Sequence, residues 1–332
     1  MANVQFLTPS SQHPTPNIHP LRLVFMGTPE FAVPSLQTLL SGEDPVVGVF
    51  TQPDQPSGRG MVLHAPPVKV LARAHNLPVY QPMKLRESGV LAQLRAWQPD
   101  LIVIAAYGKI LPTAILDLPP HGCINVHASL LPKYRGAAPI QWAIANGEIE
   151  TGVTIMRVIE RMDAGDILLQ KAMPIADTDT GGSLHNKLAW LGAEALREAL
   201  QLFKHGKLDA HPQHEADATY APMIKKEDGR IDWSQNATTI ERRIRAFNPW
   251  PSAHTTWNGK LLKIFAARVA RSSSYPSHPP GTVVEVTPVS LVVATGAGHL
   301  SLEEIQLEGK KRLPIEEFLK GHRLTPGLVL NA

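Results

Sequence analysis

Cys123-Ile124-Asn125-Val126-His127-Ala128-Ser129-Leu130-Leu131-Pro132-Lys133-Tyr134-Arg135-Gly136-Ala137-Ala138-Pro139-Ile140-Gln141-Trp142-Ala143-Ile144-Ala145-Asn146 reads as a strand, a loop and a helix in succession. The first five residues alternate as a strand does, with Ile124 and Val126 toward an apolar core and Cys123, Asn125 and His127 on the other face. A rise of roughly 3.3 Å per residue sets Asn125 and His127 about 7 Å apart along that face, room for one small group between an amide and an imidazole. Ser129-Leu130-Leu131-Pro132 cannot prolong the ladder, because proline lacks the donor and restricts the residue before it. Gly136-Ala137-Ala138 permits close backbone approach, Pro139 suits a helix first turn, and Asn146-Gly147 ends that helix. A strand ending in a polar pair, then a loop and a helix, is where open α/β sheets hold ligands.

The flanking sequence supplies the rest of such a sheet. Residues 1–20 read as a disordered leader without the cationic start of a secretory signal or the arginines of a transit peptide. Leu21 to Met26 predicts a buried first strand, and Gly27-Thr28-Pro29-Glu30 opens a helix running to Leu40. That turn is not G-x-G-x-x-G, so a Rossmann-like, mostly parallel sheet is expected without a dinucleotide site. Val46 to Phe50 and Leu77 to Tyr80 read as strands, and Val68 to Ala74 and Val90 to Trp97 as helices. Leu101 to Ala105, continuously apolar, predicts a central parallel strand. Thr51 to Gly60 is too rich in Pro and Gly for a regular element, and a loop this long in a compact α/β unit points to function. Thr151 to Ile159 and Ile167 to Gln170 are strands around a polar turn with Asp163 and Asp166. Ser183 to Phe203 is helical, with Leu184, Leu188, Leu191, Ala195, Ala199 and Phe203 on one face. Gly206 stops it.

Domain boundaries follow: an α/β domain over 21–206, a Pro- and His-rich linker over 207–219, and a second domain over 220–332. In the last, a short helix (Ile240, Ile244, Phe247) precedes closely spaced β-rich runs, the pattern of a small barrel. At 332 residues, 43% hydrophobic and 18% charged, the chain has core material for two domains. A net charge of +3 is compatible with a nucleic-acid partner. The single cysteine excludes an intramolecular disulfide and argues against a zinc–thiolate cluster. No run approaches the roughly 18 apolar residues of a membrane span. A cytoplasmic monomer is the expectation, with no metal and no membrane partner.

Asn125-x-His127-x-Ser129-Leu130-Leu131-Pro132, followed by Arg135-Gly136-Ala137-Ala138-Pro139-Ile140, resembles the signature of the folate-dependent formyltransferases. Tyr220 to Trp233 and Ile244 to Pro251 are similar to motifs of the branch that acts on methionyl-tRNA, so the likeness extends from Leu21 to the C-terminus. It implies 10-formyltetrahydrofolate as formyl donor, initiator methionyl-tRNA as acceptor, and a C-terminal OB-like barrel that helps hold the tRNA. It also implies catalytic roles for Asn125, His127 and Asp163, the last being the first aspartate of a D-x-G-D turn. Ser129, Leu130, Leu131 and Pro132 become the folate-binding loop, and Ala106 to Pro112 the lining of the pteridine pocket. Arg59, Lys225, Lys226, Arg242, Arg243, Lys310, Lys311 and Arg312 are candidate tRNA contacts.

These residue types suit formyl transfer to an amine. Attack on the formyl carbon gives an oxyanion, which Asn125 can meet with an N–H. An imidazole can take up and release protons near neutrality, and Asp163 would orient it. Other acceptors (a ribonucleotide amine, an amino-sugar nucleotide, water) fit the N-terminal half equally, and a tRNA-binding module on an inactive scaffold is the non-catalytic alternative. The C-terminal Phe247-Asn248-Pro249-Trp250-Pro251 segment and the loop around Arg59 favour tRNA. A Cys123–His127 nucleophilic pair is a rival chemistry on the same strand face, disfavoured because the about 13 Å between them along an extended strand keeps the two from touching directly.

Overall fold

The computed structural model describes residues 19–57, 62–270 and 278–331. All but the last two residues of the expected leader lie outside these, as does Arg59. Strand β1 (Leu23–Gly27) leads through a 3-10 turn at Glu30–Ala32 into helix α1 (Val33–Leu40) and strand β2 (Val46–Phe50). Next come an antiparallel pair, β3 (Gln55–Ser57) and β4 (Val62–His64), helix α2 (Pro67–Ala74), strand β5 (Val79–Tyr80), helix α3 (Ser88–Trp97) and strand β6 (Leu101–Ala105). Helix α4 (Thr113–Leu116), strand β7 (Cys123–His127), the short strand β8 (Arg135–Gly136) and helix α5 (Pro139–Asn146) follow. Strands β9 (Glu150–Arg157) and β10 (Ile167–Pro174) and helix α6 (Gly181–Lys204) complete this half.

Seven strands form one sheet in the order β10-β9-β7-β6-β1-β2-β5. The five from β7 to β5 are parallel, while β9 runs antiparallel to both β7 and β10. The Rossmann-like, mostly parallel α/β sheet read from the sequence is thus present, with β6 at its centre. Both faces are covered, which is why β1, β2 and β6 are apolar throughout. Phe25, Val103, Ile124 and Val126 pack under α1 and α6. Val24, Met26, Ile102, Ile104 and Cys123 pack on the opposite side with residues of α3 and α4.

Two local expectations are corrected. The first helix begins at Val33 rather than at Pro29, because Pro34 takes its first turn and Glu30–Ala32 winds as a tighter 3-10 entry. The Thr51 to Gly60 stretch is not wholly irregular: Gln55–Ser57 pairs with Val62–His64, with Pro56 opposite Leu63. A two-stranded ribbon tolerates that proline because its N–H side needs no ladder partner.

In the C-terminal half, strand β11 (Tyr220–Ala221) pairs parallel with β8, so it belongs spatially to the first domain. Helix α7 (Ala237–Ala246) then precedes strands β12 (Ala253–Trp257), β13 (Lys260–Val269), β14 (Val283–Thr287), β15 (Ser290–Ala294), β16 (His299–Leu307) and β17 (Leu313–Pro314), and helix α8 (Ile315–Gly321). They form an antiparallel sheet in the order β12-β13-β16-β15-β14, with β17 on β16. Ile240, Ile244, Leu262, Ile264, Leu300, Leu302 and Phe318 share its core. Residues 328–331 lie along both outer strands: Asn331 bridges Thr256, and Val329 bridges Thr282 beside β14. Arg245 Nη1 donates to the Asp179 carbonyl at 2.9 Å and Phe247 lies edge-on to Trp142, tying the two halves together.

Candidate active site

The strand order reverses between β1 and β6, the usual crevice of such sheets. Here hydrogen bonds close that crevice at its base. Thr28 Oγ1 and Gln52 Nε2 both donate to the Tyr107 carbonyl, at 3.2 and 3.0 Å. The Tyr107 ring is buried, its hydroxyl has no partner among the described residues, and burial drives its acidity down. Tyr107 is therefore a core residue, and the exposed members of its turn are Ala106, Gly108 and Ile110.

The polar centre lies one strand further, at the end of β7. His127 is buried, and its Nε2 stands 3.0 Å from the Tyr134 carbonyl oxygen. A carbonyl only accepts, so Nε2 carries the hydrogen in either charge state. Nδ1 is then the atom that faces Asp163, 3.7 Å from Oδ2. Asn125, two residues earlier on the same face, is partly exposed, and among the described residues its carboxamide enters no hydrogen bond.

The turn after β9 aims Asp163. Its backbone sits in the left-handed region at φ 47°, which Asp tolerates better than most residues. Its Oδ2 accepts from the Gly136 N–H at 2.8 Å. Gly136 is required there: its φ is 120°, and a Cβ would stand 2.7 Å from the Ala221 carbonyl. Asp166 contributes its carbonyl, which accepts from the Arg157 N–H, as a structural residue would.

Two residues at this centre carried no assigned role in the sequence reading. Arg135 is 1% exposed, and its guanidinium donates to Gln213 Oε1 and to Glu215 Oε1. Gln213 Nε2 in turn donates to the carbonyls of Asp163 and Gly165, at 2.8 and 2.7 Å. Hydrogen bonding from Arg135, before any other cause, holds the Glu215 carboxyl below its usual range. Arg135 stands in the quoted signature, so a charged residue between Tyr134 and Gly136 was a visible signal. Gln213 stands in a Pro/His-rich run with none.

The Ser129 to Pro132 loop is strapped to β9 and β10. Thr154 Oγ1 donates to the Ser129 carbonyl and accepts from the Leu131 N–H, and Gln170 Nε2 donates to the Leu131 carbonyl. Ser129 Oγ is spent on the Lys133 carbonyl at 2.6 Å. Leu130 and Pro132 remain as its partly open surface.

Cys123 lies on the His127 face but inside the second core, 3% exposed, with burial and then Asp117 pushing its thiol up to about 12. A thiol so placed is inert. Cys123→Ser is expected to keep wild-type turnover, and thiol reagents to leave the folded chain unlabelled; rapid labelling coupled to inactivation would restore the nucleophile reading.

Among the basic candidates, Lys225, Lys226, Lys310 and Lys311 are exposed. Arg243 donates to the Asp228 carbonyl and lies over the Phe247 ring, and Arg242 packs against Gly147. Arg312 is ion-paired with Glu304 above the Phe265 ring. No helix is long and apolar enough to cross a membrane, and no group of three or more His, Cys, Asp or Glu side chains could hold a metal among the described residues. A cleft of about 1080 Å³ between α1 and α6, lined by Gln37, Trp190 and Arg197, shares no residue with the His127–Asp163 centre.

Residues 21–200 match the family model for formyl transferase, and residues 223–323 that for the formyl transferase C-terminal domain. A protein of Geobacter sulfurreducens named methionyl-tRNA formyltransferase is 48% identical over 92% of this chain and 96% of its own. One of Citrifermentans bemidjiense with the same name is 50% identical over 93% and 96%. Among solved structures, the sugar 3N-formyl transferase WlaRD, crystallised with dTDP and 5-N-formyl-THF, superposes with a TM-score of 0.64 at 19% identity, covering 88% of this chain and all of that one. HypX from Aquifex aeolicus in complex with tetrahydrofolic acid gives 0.59 at 20% identity, covering 95% of this chain and 51% of that one. At such identities these two structures speak to the fold.

Proposed function

The chain belongs to the methionyl-tRNA formyltransferase family, and from that premise we propose that it transfers the formyl group of 10-formyltetrahydrofolate to the amino group of initiator methionyl-tRNA. The product is N-formylmethionyl-tRNA for translation initiation, which sets the reaction in the cytoplasm. The observation that carries this reading is the disposition of His127, with Nε2 tied to a carbonyl and Nδ1 turned toward Asp163, two residues beyond the uncommitted Asn125 carboxamide.

The chemistry follows from those groups. The neutral amine attacks the formyl carbon, forming the new C–N bond and moving the carbonyl electron pair onto oxygen. An Asn125 N–H donates to that oxyanion. His127 Nδ1 takes the proton released by the new ammonium, and the imidazolium so formed faces the Asp163 carboxylate. Collapse of the oxyanion breaks the bond to the folate nitrogen, which receives the proton from Nδ1. Proton and charge balance, and His127 returns to its starting state.

Ser129, Leu130, Leu131 and Pro132 are the folate-binding loop, Leu130 and Pro132 offering side chains and the strapped backbone giving rigidity. The C-terminal sheet, its outer strands joined by residues 328–331, is an OB-like barrel that carries tRNA. Lys225, Lys226, Lys310 and Lys311 are the phosphate contacts that need no rearrangement, whereas Arg242, Arg243 and Arg312 would first leave their present partners. Arg59 is proposed as a further contact from its place between two glycines. The chain acts as a monomer.

One assay tests the acceptor. Purified protein with 10-formyltetrahydrofolate is offered methionyl-tRNA, a ribonucleotide amine, an amino-sugar nucleotide or water. Formyl transfer to the charged tRNA alone is expected. Transfer to either small amine without transfer to tRNA would overturn the assignment.

A further inference from the structure

Gln213 lies in the segment that sequence reading made a linker, yet its carboxamide joins the Asp163 turn to the strand bearing Gly136. Nε2 donates both hydrogens, to the carbonyls of Asp163 and Gly165, while Oε1 accepts two from the buried Arg135 guanidinium. Its full hydrogen-bonding capacity is therefore used within the protein. Arg135 is fixed in turn by Glu215 and sits next to Gly136, whose N–H holds Asp163 Oδ2. The turn it braces contains a left-handed Asp163 and a Gly165 packed so closely on Arg157 that a Cβ would stand 2.0 Å from its carbonyl. Such a turn needs support from outside itself to keep one geometry.

We propose that Gln213 is a positioning residue for the formyl-transfer centre: it fixes the Asp163 turn so that the carboxylate stands opposite His127 Nδ1. This rests on the role given to Asp163 above. Gln213 touches neither reacting group, so its effect reaches the chemistry only through Asp163.

Gln213→Glu tests this most sharply. It keeps the shape and the acceptor for Arg135 but sets a carboxylate oxygen against two carbonyls in place of two N–H donors. A displacement of the order of 1 Å costs about 10²-fold in rate, so turnover of Q213E is expected to fall about that far. The KM values for folate donor and methionyl-tRNA should stay within about threefold, since uniform binding is untouched. The double variant with Asp163→Asn should be no slower than D163N alone, because both changes act on one group. Donor-binding stoichiometry reports the folded fraction. If Q213E binds no donor, Gln213→Met, which removes the donors without adding charge, carries the same expectation. Wild-type turnover in Q213E alongside a crippled D163N would overturn the Gln213 role alone, as would losses that multiply in the double variant. Wild-type turnover in D163N would overturn the Asp163 reading and this inference with it.

Discussion

Asp163→Ala lowers turnover by about 10²–10⁴-fold, the range of general acid–base assistance, while the folate donor binds nearly as before. The substitution removes the carboxylate opposite His127 Nδ1, 3.7 Å away, so the imidazolium forms without that countercharge. It also strips the Gly136 N–H of its acceptor. Alanine in the left-handed region adds backbone strain of about 1–2 kcal/mol. Asp163→Asn separates these effects, since asparagine tolerates that conformation and can still accept from Gly136. Both variants should be slow, with D163N isolating the charge. Single-turnover formyl transfer with saturating donor makes the measurement. A D163N rate near wild type would show that His127 needs no countercharge.

Asn125→Ala should cost about 10²–10³-fold in turnover, the usual loss for one oxyanion donor, or about 2.7–4 kcal/mol. The Asn125 carboxamide makes no hydrogen bond among the described residues, so the loss should fall on the transition state. Stability should barely change, and donor affinity should hold. Asn125→Asp sharpens the test, because a carboxylate repels the developing negative charge while keeping the size. If N125A loses donor affinity in step with rate, Asn125 is a ground-state binding residue instead. Together the two substitutions distinguish oxyanion stabilisation from proton transfer.

The strands and helices of the first domain were legible because each carries its own pattern. β6 is apolar at every position, β7 alternates, and α6 repeats Leu184, Leu188, Ala195 and Ala199 along one side. The polar pair on β7 could be read for the same reason, since strand alternation fixes which residues share a face. The contacts that depend on distant segments left no such trace. Pro56 and Leu63 pair across the ribbon despite a composition that argues for irregular chain. The run around Gln213 looks like a tether because its Pro and His content hides two backbone-directed donors. Nor does any local rule tell that Arg242 and Arg243 turn inward while Lys225 and Lys226 stay in solvent. Side-chain direction on a short helix depends on what packs beside it, and that partner is decided by tertiary structure.

The placement of residues 328–331 against both outer strands has a consequence for synthesis. The seven-stranded sheet has all its members once residue 174 has been made, so it can pair fully while translation continues. The other sheet keeps Thr256 and Thr282 without their bridging partners until residues 329 and 331 exist. During that interval two rows of backbone donors and acceptors remain open to neighbouring chains on a polysome, the circumstance in which strand edges recruit one another.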